Sequence, residues 1–538
     1  MTQSHPERSN RKDLKKGGDY GMYSNGKIWV ANTVQGEHVE LVPKLANRHG
    51  LVAGATGTGK TVTLKVLAES FSDMGVPVFI ADVKGDISGM AKAGTDSADM
   101  QERIMRFGLG DTFAYKGYPV ALWDIFGERG VRLRTTISEM GPLLLARLMG
   151  LNELQSDILS IVFKIADDKK LLLIDTKDLK SMLNFVSENN AEYEAEYGKM
   201  SSQSIAAIVR ALVSLEVAGG DKFFGEPALN LGDWFNTVDG KGVINILDSA
   251  SLINNGKLYS TFLLWLLSEL FEQLPEVGDM DKPKFVFFFD EAHLLFNDAP
   301  KALTDKIEQV VKLIRSKGVG VYFCTQAPKD IPDGVLAQLG NKIQHGLRAY
   351  TPADQKGVKA AAESYRPNPE FDTFDTILNL GTGEAVISFL EENGVPGMAQ
   401  KAYILPIQSS FGALSSDERD RIVKQSLLYT RYDRDVDPDS AYEFLERWKV
   451  LSQQEAEQAR AEAEAAKEAE RLEKERQKEA ERLAREEAKE AERLAREEAK
   501  EAERREREKQ KTKQEFARGA SRAMEHLGRG LMKTFFRI

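Results

Sequence analysis

Eight consecutive residues have the types and spacing of a phosphate-binding loop. They fit the pattern G-x-x-x-x-G-K-[ST], and they are Gly54, Ala55, Thr56, Gly57, Thr58, Gly59, Lys60 and Thr61. Glycines let backbone N–H groups wrap a phosphate, and the start of a following helix adds positive potential. Lys60 would reach the terminal phosphates of a nucleotide, and Thr61 would bind Mg²⁺. The alternative is an accidental glycine-rich turn, and the strand and helix patterns on either side argue against it. We therefore expect ATP and Mg²⁺ as ligands.

Two adjacent carboxylates follow an apolar run further along the chain. Asp290 and Glu291 come directly after the five apolar residues 285–289. In nucleotide-hydrolysing sites the first acid holds Mg²⁺, usually through water, and the second polarises the attacking water. An apolar run ending in Asp-Glu is common, so the assignment depends on its pairing with the glycine-rich loop. The second carboxylate favours hydrolysis over transfer to an acceptor, because hydrolysis needs a base at that position.

Two further polar residues are candidates for the same chemistry. Gln326 follows the apolar run 318–324 and could sense the terminal phosphate or position water, although such a residue is more often a surface cap. Arg315 ends a predicted helix over 304–316. It is either a solvated cation or a charge that stabilises the transition state of a neighbouring subunit. The spacing leaves both alternatives open.

Short apolar runs alternate with helical patterns around these residues. Gly50–Gly54 and Val76–Asp82 are predicted strands on either side of a helix over Thr61–Phe71, which makes a βαβ unit. Further strands are predicted at 242–247, 285–290, 318–325, 342–349 and 385–390. This alternation predicts an α/β fold with a mostly parallel sheet covered on both faces.

Composition divides the chain into six predicted segments. Residues 1–20 are polar and are expected to form a flexible head, and residues 21–132 and 220–450 form the two parts of the sheet-containing core. Residues 133–219 have apolar side chains at helical spacing and are predicted to be a helical insertion. Residues 451–513 are rich in Glu, Ala, Arg and Lys, and residues 514–538 are basic and amphipathic.

The charged segment could be a single helix or a coiled coil. Its block KEAERLAREEA occurs twice in succession, and Leu483 and Leu494 are the large apolar residues of the two repeats. This is too few for a strong coiled-coil seam, and Glu–Arg pairs four residues apart favour a solvated single helix. In one interpretation the segment is a solvated spacer, which needs no ligand. The basic amphipathic end could instead bind a protein partner or a membrane surface.

Composition argues against several classes of protein. The chain has 538 residues, of which 42% are hydrophobic, so a large core is expected. A single cysteine, Cys324, and the lack of a charged-then-apolar leader predict the cytoplasm. The apolar stretches are shorter than the ~20 residues needed to cross a bilayer, so no transmembrane segment is expected.

The distribution of charge limits how the chain could contact DNA. Its net charge is −10, and residues 1–451 carry 50 Lys/Arg against 61 Asp/Glu. A protein that coats DNA usually has the opposite balance. Any contact with DNA would therefore need a local basic surface, such as the lumen of a ring.

Five short motifs occur in a fixed order along the chain. They are Ala46–Ala53 before the loop, Asp82–Asp86, Asp290–His293, Cys324–Gln326 and Gly383–Ala385. Together they resemble the HerA/FtsK superfamily of ring-forming DNA translocases, and among these the YjgR-like branch. The resemblance covers about residues 20–430 and excludes the charged tail.

The resemblance implies a RecA-like core that assembles as a homo-hexamer, with ATP at subunit interfaces and double-stranded DNA in the lumen. Gln326 is similar to the sensor glutamine of the superfamily, and Arg315 is similar to its arginine finger, which acts on a neighbouring subunit. Arg348 resembles a further arginine at the nucleotide. The resemblance gives no role for the loop containing Asp82, Lys84 and Asp86.

Departures from the superfamily leave two functions open. The short stretch before Gly54 predicts that the N-terminal β-barrel, through which HerA contacts a nuclease, is missing or reduced. The run Asp290–His293 also resembles another helicase superfamily, whose second-domain motifs are not found. The first hypothesis is an ATP-driven translocase or helicase on duplex DNA. The alternative is an ATP-gated assembly platform that recruits a protein or membrane partner through the tail, without nucleic acid.

Overall fold

The computed structural model describes residues 22–24, 26–250, 252, 256–297 and 301–491. Thirteen strands of the described chain form one sheet, and two more form a small separate sheet. The predicted head at 1–20 lies outside the described residues, and so do residues 492–538, which include the predicted amphipathic end.

Strands form the centre of the fold. In chain order they are β1 (Tyr23–Ser24), β2 (Lys27–Thr33), β3 (His38–Leu41), β4 (Gly50–Ala53), β5 (Val78–Asp82), β6 (Val120–Asp124), β7 (Val131–Arg132), β8 (Thr237–Val238), β9 (Lys241–Gly242), β10 (Ile244–Asp248), β11 (Phe285–Phe289), β12 (Val319–Thr325), β13 (Asn341–Gln344), β14 (Glu384–Ser388) and β15 (Gln400–Ile404).

Helices lie between many of the strands along the chain. In chain order they are α1 (Lys60–Asp73), α2 (Ala98–Arg106), α3 (Ile137–Met149), α4 (Glu153–Asp168), α5 (Thr176–Glu188), α6 (Asn190–Tyr197), α7 (Ser202–Leu215), α8 (Asp221–Phe223), α9 (Gly256–Gln273), α10 (His293–Phe296), α11 (Lys301–Ile314), α12 (Asp333–Leu336), α13 (Pro352–Glu363), α14 (Thr373–Asn379), α15 (Ser416–Gln425), α16 (Leu427–Tyr432) and α17 (Ala441–Ala491).

The middle of the large sheet is parallel. Its strands lie in the order β13-β4-β12-β11-β5-β10-β6-β7, and each neighbouring pair runs in the same direction. Every residue of β5 and β11 is buried, which is typical of strands covered on both faces. The predicted α/β fold with a mostly parallel sheet is confirmed. Because the strands share one direction, their carboxyl ends lie along one edge of the sheet.

An antiparallel flank extends the sheet beyond β13. Strand β14 pairs antiparallel with β13, β15 pairs with β14, and β2 pairs with β15. Strands β1 and β3 pair with β2, so the segment before the glycine-rich loop joins the main sheet. The sequence predicted a strand over 342–349, but β13 ends at Gln344. The chain leaves the ladder there because the next residues bond to the glycine-rich loop.

Helices α3 to α7 occupy the predicted helical insertion. Helix α7 contacts α3, and its residues Ile205, Ile208 and Leu212 are buried. By length and composition alone, the stretch Ser202–Phe223 could cross a membrane, and 28% of it is buried. Its inward face has the spacing of a packed helix, so this composition is weak evidence for a membrane span.

The chain divides into two compact units. The first contains the described residues of Met1–Ser160, Ile174–Thr176 and Ser201–Asp437, and it includes the whole large sheet. The second contains the described residues of Ile161–Leu173, Lys177–Met200 and Pro438–Ile538.

The second unit holds the start of the long C-terminal helix α17. The Asp178 carboxylate accepts hydrogen bonds from Ser440 Oγ at 2.6 Å and from Tyr442 N at 2.8 Å. The ring of Trp448 packs edge-on against Phe185, with 5.2 Å between centroids. The predicted charged helix is therefore present, and it begins at Ala441, before the highly charged composition starts. The aromatic residues near its start explain the earlier beginning, because they pack against α5.

Candidate active site

The glycine-rich loop connects β4 to α1 at the carboxyl edge of the sheet. Lys60, the first residue of α1, is buried, and its Nζ donates to Gly54 O at 2.5 Å and to Ala55 O at 3.1 Å. Burial, followed by the positive charge of Lys84, lowers the pKa of the Lys60 ammonium. Thr61 is the second residue of the helix and is half-buried. The loop thus has the strand–loop–helix context that the motif requires.

The segment after β13 packs against the glycine-rich loop and the end of β4. Ala55 N donates to Gly346 O at 2.9 Å, and His345 N donates to Ala53 O at 2.7 Å. A Cβ at Gly54 would lie 2.5 Å from His345 Cβ, and a Cβ at Gly59 would lie 3.2 Å from Gly383 N. These two glycines are therefore needed for packing within the protein, in addition to any close approach to phosphate.

His345, in this segment after β13, is buried and neutral. Its Nδ1 lies 2.8 Å from Glu384 O and its Nε2 lies 2.8 Å from Thr63 Oγ1. A carbonyl oxygen can only accept, so Nδ1 carries the proton and Nε2 accepts from the hydroxyl. Burial lowers the pKa of His345 to about 4, which keeps the ring neutral at physiological pH. Sequence reasoning gave this residue no role, and its partner in α1 is far away in the chain.

Asp290 is a buried carboxylate at the end of β11. Its residue is 7% exposed. Burial raises its pKa to about 7, and the negative charges of Glu291 and Asp82 add to this shift while Lys84 opposes it. A carboxylate in this position is stabilised by a divalent cation, which prefers oxygen ligands. Asp290 and the Thr61 hydroxyl are therefore suited to hold the Mg²⁺ of a bound nucleotide.

Glu291 is surrounded by polar groups from three other positions. Its Oε1 lies 2.9 Å from Lys84 Nζ, and its Oε2 lies 3.4 Å from His293 Nδ1 and 3.5 Å from Gln326 Nε2. Burial alone would raise the pKa of this carboxyl, but the hydrogen bond and charge of Lys84 outweigh it, so the pKa is lowered. The backbone of Glu291 is left-handed, with φ of 46°. Non-glycine residues in this region are uncommon and cluster at functional sites.

The order of the strands explains why these side chains meet. Strands β4, β12, β11 and β5 are neighbours, and they end in the glycine-rich loop, Gln326, the pair Asp290–Glu291 and the loop of Lys84. Because the strands are parallel, all four ends lie at one edge. In open α/β sheets the carboxyl edge is where ligands bind.

The two candidate arginines lie elsewhere. Arg315 is exposed in a 3₁₀ turn that precedes β12, and its carbonyl accepts from Asn47 Nδ2 at 3.5 Å. It is therefore at the amino edge, opposite the glycine-rich loop of the same chain. Arg348 is exposed in the segment that follows His345 and Gly346 on the loop side. The structure brings Lys60, Asp290, Glu291 and Gln326 to one edge, and it separates Arg315 from them.

A phosphate-binding loop, a buried carboxylate and a second carboxylate beside it define a P-loop ATPase. The chain belongs to the family described as Helicase HerA-like C-terminal, which it matches over residues 28–534. The predicted resemblance is confirmed at the level of the family.

The chain is similar to archaeal helicases of known or probable function. It is 23% identical over 371 residues to the DNA double-strand break repair helicase HerA of Sulfolobus acidocaldarius, which covers 68% of this chain and 67% of that protein. It is 24% identical over 377 residues to a probable helicase of Methanocaldococcus jannaschii, which covers 68% and 65%. The chain thus spans about two thirds of the length of these relatives.

Two solved structures align with about 70% of this chain. The bacterial conjugative coupling protein TrwB has a TM-score of 0.47 at 15% identity, with 70% of this chain and 88% of that chain covered. VirB4 of Thermoanaerobacter pseudethanolicus has a TM-score of 0.44 at 15% identity, with 72% and 98% covered.

Proposed function

We propose that the carboxyl edge of the sheet hydrolyses ATP with Glu291 as the general base. Lys60 and the backbone N–H groups of the loop would hold the phosphates, and Thr61 and Asp290 would bind Mg²⁺. Magnesium, when bound, neutralises charge on the phosphates. Glu291 would accept a proton from the attacking water, and Gln326 would orient that water. The observation that carries this proposal is the position of the Glu291 carboxylate, 2.9 Å from Lys84 Nζ at the same edge as the loop.

The ATPase would act as a motor on double-stranded DNA within a homo-hexameric ring. The family and the helicases that the chain is similar to support this proposal. The position of Arg315 supports the ring, because strand β12 separates it from the Gln326 end by roughly 20 Å at ~3.3 Å per residue. Arg315 cannot reach the glycine-rich loop of its own subunit at that distance. It would instead act on a neighbouring subunit, and Arg348 would contact nucleotide from the loop side.

Stimulation of ATP hydrolysis by duplex DNA tests the motor proposal. We expect duplex DNA at low salt to raise the turnover number several-fold, and we expect this stimulation to fall as salt releases the phosphate contacts. The Lys60→Ala variant is the matched control, because it should bind DNA without hydrolysing ATP. Unchanged turnover together with no DNA binding at low salt would contradict the motor proposal and leave the ATPase itself intact.

The second candidate function is an ATP-gated assembly platform without nucleic acid. Two observations favour it. Residues 1–451 have more acidic than basic side chains, and the long helix α17 belongs to the second unit, where its Tyr442 and Trp448 contact Asp178 and Phe185 of α5. A long charged helix of this kind is suited to recruit a protein partner or a membrane surface. The DNA experiment separates the two functions, because a platform would hydrolyse ATP at the same rate with and without duplex.

A further inference from the structure

The loop after β5 has a fixed shape. The Asp82 carboxylate accepts from Gly85 N at 2.7 Å and from Ile87 N at 2.9 Å, which closes the turn on itself. Asp82 is buried, and Gly85 has a φ of 73°, a left-handed conformation that glycine adopts without strain. The turn holds the backbone of Lys84 between two anchored points. The backbone from which the Lys84 side chain extends is therefore held by the hydrogen bonds of the Asp82 carboxylate.

Lys84 makes the shortest polar contact of Glu291. Its Nζ lies 2.9 Å from Oε1, whereas the Gln326 and His293 nitrogens lie 3.5 Å and 3.4 Å from Oε2. The last two distances are at or near the outer limit of a hydrogen bond. The Lys84 side chain is 39% exposed and the Glu291 side chain is 8% exposed. An exposed ion pair contributes little, but a nearly buried carboxylate that loses its partner is left uncompensated.

Glu291 needs an external partner to fix its direction. It follows the last residue of β11, its backbone is left-handed, and its side chain is not held in a helix or strand. Asp290 lies directly beside it and repels it as a like charge. Without the Lys84 cation, the neighbours left to the carboxylate would be the more distant Gln326 and His293 nitrogens.

We propose that Lys84 is a positioning residue that orients the Glu291 carboxylate for hydrolysis. This inference rests on the proposed role of Glu291 as the general base. Lys84 would act on Glu291 and not on the nucleotide itself. It acts through the ion pair, and it gives the Asp82–Asp86 motif a function within the site.

Kinetics of a double-mutant cycle test the inference on the full chain. Lys84→Met keeps the length of the side chain and removes its charge. We expect it to lower kcat for ATP by about 10- to 100-fold, the range for a catalytic group that is displaced by about 1 Å, with KM within about twofold of the parent. In single-turnover reactions with excess protein, adding Lys84→Met to Glu291→Gln should change the residual rate by less than about twofold.

Lys92→Met is the matched control. Lys92 also forms an ion pair, 2.6 Å from Glu418, but its partner has no proposed role in the site and its side chain is half-exposed. We expect parental kinetics for it. If Lys84→Met does not fold, Lys84→Gln is used in its place.

Three results would overturn the inference. The first is an unchanged or increased kcat in Lys84→Met. The second is a loss of the same size in the parent and in the Glu291→Gln background, since Lys84 would then act independently of Glu291. The third is an equal loss in Lys92→Met. Failure of the proposed function is distinct, because Glu291→Gln would then hydrolyse ATP as fast as the parent.

Discussion

At the scale of single residues, charge compensation organises the site. The ammonium of Lys60 is bonded to carbonyls of its own loop, and the ammonium of Lys84 is bonded to Glu291. Within the described residues, Asp290 has no ion pair as short as that of Glu291, and burial raises its pKa to about 7. The proposed binding of a divalent cation next to Asp290 and of phosphate next to Lys60 agrees with this distribution of charge.

At the scale of elements, helix α1 links the glycine-rich loop to the segment after β15. Near its end, the Glu69 carboxylate accepts from Gln408 N at 3.0 Å, from Ser409 N at 3.1 Å and from Ser409 Oγ at 2.5 Å. One turn earlier, Lys65 Nζ donates to Ser410 O at 3.1 Å. The helix that begins at the loop is thus tied to the sheet flank by two buried charged residues.

Glu69 makes the stability of this element depend on pH. Burial raises its pKa from 4.5 to about 7, although three hydrogen bonds oppose the shift. The folded state therefore holds a proton that the unfolded state releases between pH 4.5 and 7. The stabilisation is complete below pH 4.5 and is lost as pH rises to about 7, by at most about 3 kcal/mol at 1.36 kcal/mol per pKa unit.

Thermal unfolding at pH 5 and pH 8 measures this effect. We expect the midpoint of Glu69→Gln at pH 8, relative to its midpoint at pH 5, to be higher than in the parent, because the amide does not titrate and the loss due to Glu69 is removed. Glu102→Gln is the control, since Glu102 is exposed and pairs with Arg106 one turn away. An equal pH dependence in Glu69→Gln and the parent would refute this role for Glu69.

Sequence patterns predicted the elements of the site better than their contacts. The glycine-rich loop, β11 and Asp290–Glu291 are contiguous in sequence, so spacing and continuous apolar runs were sufficient to place them. The antiparallel flank was harder to predict, because its paired strands β2 and β15 are separated by most of the chain. The Lys84–Glu291 ion pair and the His345–Thr63 hydrogen bond depend on which strands are neighbours. Local spacing carries no information of that kind.

At the scale of the whole molecule, the two edges of the sheet carry different parts of the proposed machinery. The carboxyl edge carries the glycine-rich loop and Glu291, and Arg315 lies exposed at the amino edge. Within one subunit, Arg315 is therefore too far from the glycine-rich loop to contact a nucleotide bound there. A ring in which each subunit presents Arg315 to the next would complete the site, consistent with heterologous head-to-tail symmetry.

Mixing two inactive variants tests this arrangement. Lys60→Ala removes the phosphate contact, and Arg315→Ala removes the proposed finger, so each should lose at least about 100-fold in ATP turnover alone. When the two are co-expressed, about one quarter of the interfaces in randomly assembled rings would join an intact loop to an intact Arg315. We expect recovery to about that fraction of parental activity. Parental turnover in Arg315→Ala, or no recovery in the mixture, would contradict a finger supplied by the neighbour.

The most direct test of the central claim is a comparison of ATP binding and hydrolysis in Glu291→Gln. We expect nucleotide affinity in magnesium to stay within about twofold of the parent, because Lys60 and the loop are unchanged. Hydrolysis should fall by about 10²- to 10⁴-fold, the usual contribution of a general base. Glu276→Gln, at an exposed position before β11, should hydrolyse ATP at the parental rate. Parental hydrolysis by Glu291→Gln would contradict the account.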